Sequence, residues 1–257
     1  MKVKAVDIFE YSLAALLLAA LVMALILSRR DQNARCCSRI EVSVTDSLRL
    51  MDDEQIIGFV RETYGECVGL RLDSIDLKAV ERALESRSAV LDSQVWSTPD
   101  GVMHIELNQR MPVIRFQGAK AKMYADASGC IFPLESAHPV QVPVVDGAIP
   151  IEMTDGFKGE VEDERGRLWM NRMLDLAKYM SGTVWEENIS QINVLKNGDL
   201  VMIPREGREV FVFGEPTDIA GKFGRMEKYY THILPDKGKG YYGRVSVKYK
   251  GQIICTQ

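Results

Sequence analysis

Between Ser12 and Ser28 the chain runs SLAALLLAALVMALILS without a single charge. As a helix rising about 1.5 Å per residue, the run covers about 25 Å, a little short of a bilayer's ~30 Å hydrocarbon core. Ile8, Phe9 and Tyr11 lengthen it on one side, with Asp7 and Glu10 at headgroup level, and Arg29 and Arg30 can snorkel on the other. A cleaved signal peptide would use Lys2 and Lys4 as its basic start, but the apolar run is long for one and no small-x-small pattern precedes Arg29. Arginines around Cys36 exclude the apolar box that lipidation requires. The reading is an uncleaved single-pass helix over 12–28, after a tail of 1–11 and before a polar stalk of 29–39. Charge counting sets Lys2 and Lys4 against Arg29, Arg30, Arg35 and Arg39, and mildly favours a cytoplasmic location for the long domain.

Beyond the anchor about 220 residues remain, enough for one large or two small domains. The formal net charge of −4 gives no electrostatic footprint for nucleic acid, which needs clustered lysine and arginine. Cys36, Cys37, Cys67, Cys130 and Cys255 are odd in number and form no C-x-x-C pair, so neither a zinc site nor a disulfide framework is indicated. The adjacent Cys36 and Cys37 are either plain residues next to the membrane or an intermolecular pair in an oxidising compartment.

Ile40, Val42 and Val44 alternate with Glu41 and Ser43, the period of a half-buried strand. Ile56, Ile57, Val60 and Tyr64 then mark a helix face, opened by Asp52, Asp53 and Glu54. A second helix carries Leu77, Val80 and Leu84, capped by Asp73 or Asp76. Val90–Trp96 is a strand, Pro99-Asp100-Gly101 a turn, and Val102–Gln109 a strand with Met103, Ile105 and Leu107 on one side and His104, Glu106 and Asn108 on the other. The order β-α-α-β-β predicts a three-stranded mixed sheet with both helices on one face, assigned to residues 40–116.

Residues 117–257 read as mostly β with two helices, making the whole chain α+β. Leu168–Met180 is one helix, with Leu168, Met173, Leu176 and Met180 as its apolar contacts and Gly182 beyond its end; the charged run Val161–Arg167 reads as solvated loop and helix start. Ile189–Val194 and Leu200–Ile203 are strands joined through Asn197-Gly198, and Val210–Phe213 follows. Thr217 or Asp218 caps a second helix with Ile219, Phe223, Met226, Tyr230 and Ile233 on its face, ended by Pro235 and Gly238–Gly240. Arg244–Cys255 is the last strand, bent at Gly251.

Several phrases in this order carry a resemblance. GVMHIELNQRMPVIRF, with its Gln109–Val113 junction, is followed by Lys122–Asp126, Gly129–Pro133, Pro143–Gly147 and the closing Val247–Cys255. The ordered set resembles the FtsQ/DivIB bacterial cell-division proteins, from the anchor through a POTRA domain to the last residue. The resemblance implies a cytoplasmic N-terminus and a periplasmic bulk, against the weak charge signal, in the inner membrane at the division septum. It also implies that small coiled-coil partners of the FtsB and FtsL kind dock at the C-terminal strand, helped by an arginine corresponding to Arg225. An upstream division protein would dock at the POTRA domain.

Nothing in the chain reads as an active site. His104, His138 and His232 are scattered, and no H-E-x-x-H occurs. Asp199, Glu206 and Glu209 flank hairpins, where acidic residues serve as soluble turn chemistry. There is no G-x-S-x-G, S-x-x-K or phosphate-cradling loop; Gly156-Phe157-Lys158-Gly159 lacks the Lys-Ser/Thr that would follow. No catalytic, metal or cofactor residue and no small-molecule substrate is assigned. Two classes remain: a non-enzymatic division scaffold, and a POTRA-containing envelope-assembly or peptidoglycan-processing factor. A single POTRA unit without repeats favours the first. Its expected docking residues are Arg225, Val247, Tyr249, Lys250, Gly251, Gln252, Ile253 and Ile254. There an unpaired strand edge would accept another strand, unless Lys248 and Lys250 blunt it.

Overall fold

The computed structural model describes residues 15–24, 36–45, 50–118, 122–133, 140–154 and 156–257. Residues 15–24 are helical, and Leu16, Leu17, Leu18 and Leu21 on them are between 58% and 70% exposed. The rest of the expected anchor, the tail, the stalk through residue 35 and His138 lie outside the described residues. Among the described residues no helix is long and apolar enough to cross a membrane.

The chain divides into two compact units, Met1–Gln109 and Arg110–Gln257. In the first, β1 (Arg39–Val44), α1 (Asp53–Thr63), a short 3-10 turn (Leu72–Ser74), α2 (Leu77–Ser86), β2 (Val90–Ser97) and β3 (Val102–Gln109) follow in the expected order. β3 lies in the middle, parallel to β1 and antiparallel to β2. Met103, Ile105 and Leu107 of β3 pack with Ile56, Val60, Val80 and Leu84 of the helices, the fully buried face that the alternation predicts. Asp76 caps α2, accepting from the Ala79 N–H at 3.0 Å, while Asp73 pairs with Arg71 instead. The Glu81 carboxylate of α2 accepts from the Val95 N–H at 2.9 Å, so the outer strand β2 has part of its edge occupied by its own helix.

Two expectations shift in this unit. Cys37 is no stalk residue: it is buried, its N–H donates to Leu70 O, and its carbonyl accepts from Gly69 N–H, both at 2.8 Å. The unit also ends at Gln109 rather than at residue 116. Pro112–Gln117 pairs with strands that come later in the chain, so it belongs to the second sheet.

The second unit is built on that sheet, β4 (Pro112–Gln117), β5 (Lys122–Asp126), β6 (Ile131–Phe132), β7 (Val144–Gly147), β8 (Ile189–Val194), β9 (Leu200–Pro204), β10 (Val210–Gly214), β11 (Arg244–Ser246) and β12 (Ile254–Thr256). Their spatial order is β12-β11-β10-β9-β8-β7-β4-β5-β6. Ile114, Phe116, Ile192, Val194, Phe211 and Phe213 turn into one apolar cluster with Met170, Met173, Leu176, Phe223 and Met226 of the helices. Alternate positions are polar: Asp146 accepts from Gln191 at 2.5 Å and from Asn193 at 2.8 Å across β7 and β8.

The helices are α3 (Glu164–Met180), α4 (Val184–Asn188) and α5 (Ile219–Lys228). α3 begins four residues ahead of the expected start, because Asp163 caps it by accepting from Gly166 N–H. Met170 takes the core position expected of Leu168, which is 53% exposed. After α5 the helix does not stop at Pro235. It widens to a π turn over Tyr229–Ile233 and runs on as α6 (Leu234–Lys237), where Pro235 sits in a first turn and needs no N–H partner. Gly238, at φ +88°, ends it.

The expected last strand, Arg244–Cys255, is two strands. β11 and β12 pair antiparallel, and the chain turns between them with the Gln252 N–H donating to Tyr249 O at 3.3 Å. Gly251 at φ +72° takes the left-handed conformation that this reversal requires.

Candidate functional site

The open edge of the large sheet at its C-terminal end is β12, and the hydrogen-bond register shows what it offers. In the parallel β10–β11 pair, Val210 N–H donates to Gly243 O and Val247 N–H donates to Val212 O, both at 3.0 Å. That pattern commits both backbone groups of Val245 to β10 and leaves Arg244 and Ser246 to bond β12. Their partners Thr256 and Ile254 therefore point inward. Cys255 turns its N–H and C=O to the outside.

Side chains on this edge divide by the same alternation. Ile254 is 46% exposed and Thr256 is exposed, while Ile253 and Cys255 pack against the core. Burial pushes the Cys255 thiol above its ordinary value, keeping it a neutral packing group. Of the residues expected to dock a partner, Ile254 alone lies on β12. Val247 is fully buried, and Tyr249, Lys250, Gly251 and Gln252 form the exposed turn that joins the two strands. Tyr249 is 52% exposed there.

A polar cluster holds that turn. Lys248 donates to both carboxylate oxygens of Asp199, at 2.7 and 3.0 Å, and that bond raises the lysine's pKa. Asp199 is itself bonded by Asn197 Nδ2 at 3.0 Å, so the β8–β9 turn and the β11–β12 turn share one buried carboxylate. Gly214 makes room for the lysine stem; a Cβ there would stand 2.7 Å from Lys248 Cγ.

Arg225 of α5 completes the arrangement. Its Nε donates to Val247 O at 2.9 Å and its Nη2 to Asp218 at 3.2 Å, and the residue is only 9% exposed. In this structure it fixes the carbonyl at which β11 leaves the sheet. One turn earlier, Lys222 is 4% exposed and lies 4.9 Å from the Phe213 ring centre; burial lowers its pKa despite the nearby Asp218. Asp218 precedes α5 in a left-handed conformation, φ 48°, without a side-chain cap bond to the helix.

The sequence reading missed Asp199, Glu209 and Lys222 as buried groups, at 6%, 3% and 4% exposure. Two of them follow hairpin turns, the usual place for solvated acids. Only their distant partners bury them. His104 is not simply solvated either: it stacks on Trp96 with centroids 5.3 Å apart and stands 3.5 Å from Glu41. Among the described residues no group of histidine, cysteine and carboxylate side chains is arranged to hold a metal.

The two units match separate family models. Residues 35–108 match the POTRA-like domain, and residues 111–256 match the model described as FtsQ/DivIB, C-terminal related. A search of curated proteins finds no match.

Proposed function

The chain belongs to the FtsQ/DivIB family, and from that membership we propose that it is a non-enzymatic scaffold of the bacterial division machinery, anchored in the inner membrane with its bulk in the periplasm. It links earlier and later division proteins by protein contacts, and its main contact is strand addition at β12. The observation that carries this reading is the outward Cys255 N–H and C=O on the last strand of the sheet. Main-chain bonds to a partner strand supply affinity there, and the exposed Ile254 and Tyr249 supply selectivity. Arg225 acts as a positioning residue: it holds Val247 and thereby the turn that lets β12 fold back. The exposed apolar helix at 15–24 supports the anchor.

Partners of the expected kind are small single-span proteins with coiled-coil segments at β12, and an upstream division protein at the POTRA-like unit. The test is a photo-crosslinking residue at Thr256, and separately at exposed Leu168 on α3, in dividing cells. Thr256 should trap a small single-span coiled-coil protein that Leu168 does not. Equal capture at both positions, or none at Thr256, overturns strand addition at this edge.

A further inference from the structure

At the opposite end of β9 and β10 from Asp199, the connecting turn 205–209, α4 and the helix after α5 enclose a cavity of about 490 Å³. Trp185 and Tyr230 line it, their ring centres 6.2 Å apart and their planes tilted by 40°. Leu234 and Pro204 add apolar wall. Three carboxylates, Glu206, Glu209 and Glu227, face it against one base, Lys239.

Glu209 is the unusual member. It is only 3% exposed, accepts from Arg208 N–H at 3.1 Å, and stands close enough to the Tyr230 hydroxyl for its charge to act on it. Burial and that carboxylate together push the Tyr230 phenol upward, so it stays a donor. Yet no cationic side chain pairs with Glu209 among the described residues. Carboxylates this buried are normally matched by a positive charge. Glu206 and Glu227 at the mouth are exposed and deepen the negative potential.

We infer that this cavity is a second docking point, which takes an arginine side chain from a protein partner, its guanidinium stacked on Trp185 and paired with Glu209 and the rim carboxylates. A guanidinium is flat, is weakly hydrated and offers donors in a fork that suits a carboxylate, whereas a lysine ammonium would meet the charge but not the aromatic wall. The volume admits the side chain with its apolar stem, which Leu234 and Pro204 would cover. The site is independent of strand addition at β12.

The test uses the full chain in detergent with labelled tryptophan, the Trp185 indole signal being assigned by its loss in Trp185→Phe. N-acetyl-arginine methylamide should shift that signal saturably. The neutral isostere N-acetyl-citrulline methylamide should bind at least about tenfold more weakly, a difference of roughly 1.4 kcal/mol. Because Glu206 and Glu227 are exposed, the Glu206→Gln/Glu227→Gln double variant should keep its fold while losing most of the arginine response. An equal response to the two probes, no response at Trp185, or unchanged arginine binding in the double variant overturns the inference.

Discussion

Leu107 and Glu106 are neighbours on one strand with opposite fates. Leu107 is fully buried among the POTRA-like unit's helices, whereas Glu106 is reached by the Thr45 hydroxyl at 3.3 Å on an exposed side. Leu107→Asp should destabilise that unit by about 3–5 kcal/mol, since an unpaired charge would enter the core. Glu106→Ala should cost under about 0.5 kcal/mol. Urea denaturation followed by circular dichroism separates the two, and equal losses would mean that both faces of β3 are buried. This contrast was legible because strand alternation is a local property. Asp126 shows where locality ends. Its motif is visible in sequence, but its work is not: it accepts from Ser128 and Cys130 across a turn and pairs with Arg110 at 2.7 Å, a partner from the other side of β4. Gly147 is similar. At φ +87° it passes so close to Val194 O that any Cβ would overlap it, a constraint set by a strand far along the chain.

At the scale of elements, the strands and helices of the first unit and α3, β8, β9, β10 and α5 of the second announced themselves through period and capping, β4 to β7 and α4 were not read as elements, and the misreadings fall where two chain paths share one pattern. Apolar residues alternate from Val245 through Val247 and Tyr249 to Ile253, with Gly251 in the series, whether the segment is one strand or a hairpin; what decides is the turn from Tyr249 to Gln252 and the left-handed Gly251. Pro235 reads as a helix end, yet the π turn before it lets the helix continue. The hairpin makes a sharp prediction about proline, which removes one backbone donor. Cys255→Pro deletes an N–H that points out of the sheet and constrains Ile254 to the extended conformation it already has. It should leave thermal unfolding within a few degrees of the parent and abolish partner binding. Ile254→Pro deletes an inward N–H and leaves Ser246 O without its ladder partner, at a cost of about 1–3 kcal/mol. It should therefore lower the melting temperature as well as weaken binding. Reversal of that order, with Cys255→Pro the less stable variant, would mean that β12 is registered one residue away and presents different groups.

For the whole molecule, the proposed anchor raises the choice of the side of a membrane on which the chain's bulk stands. The flanking arginines Arg29, Arg30, Arg35 and Arg39 argue for the cytoplasm, and family membership argues for the periplasm. These arguments have unequal weight. Flanking charge orients short loops, whereas long domains cross largely regardless of it, and the segment C-terminal to the proposed anchor is more than two hundred residues long. The tail before it also carries Lys2 and Lys4 against Asp7 and Glu10, so little charge resists its retention in the cytoplasm. The expectation is an N-terminus in the cytoplasm and a C-terminus in the periplasm. A reporter enzyme that is active only outside the cytoplasm, fused after Gln257, should be active, and the protein should stay with the membrane through an alkaline wash. Activity of a cytoplasm-dependent reporter at the same position would reverse the topology. A soluble product beginning near Arg29 would instead show that the apolar run is a cleaved signal. Either result would also move β12 away from periplasmic partners or free it from the membrane, so the topology experiment comes before any measurement of docking in cells.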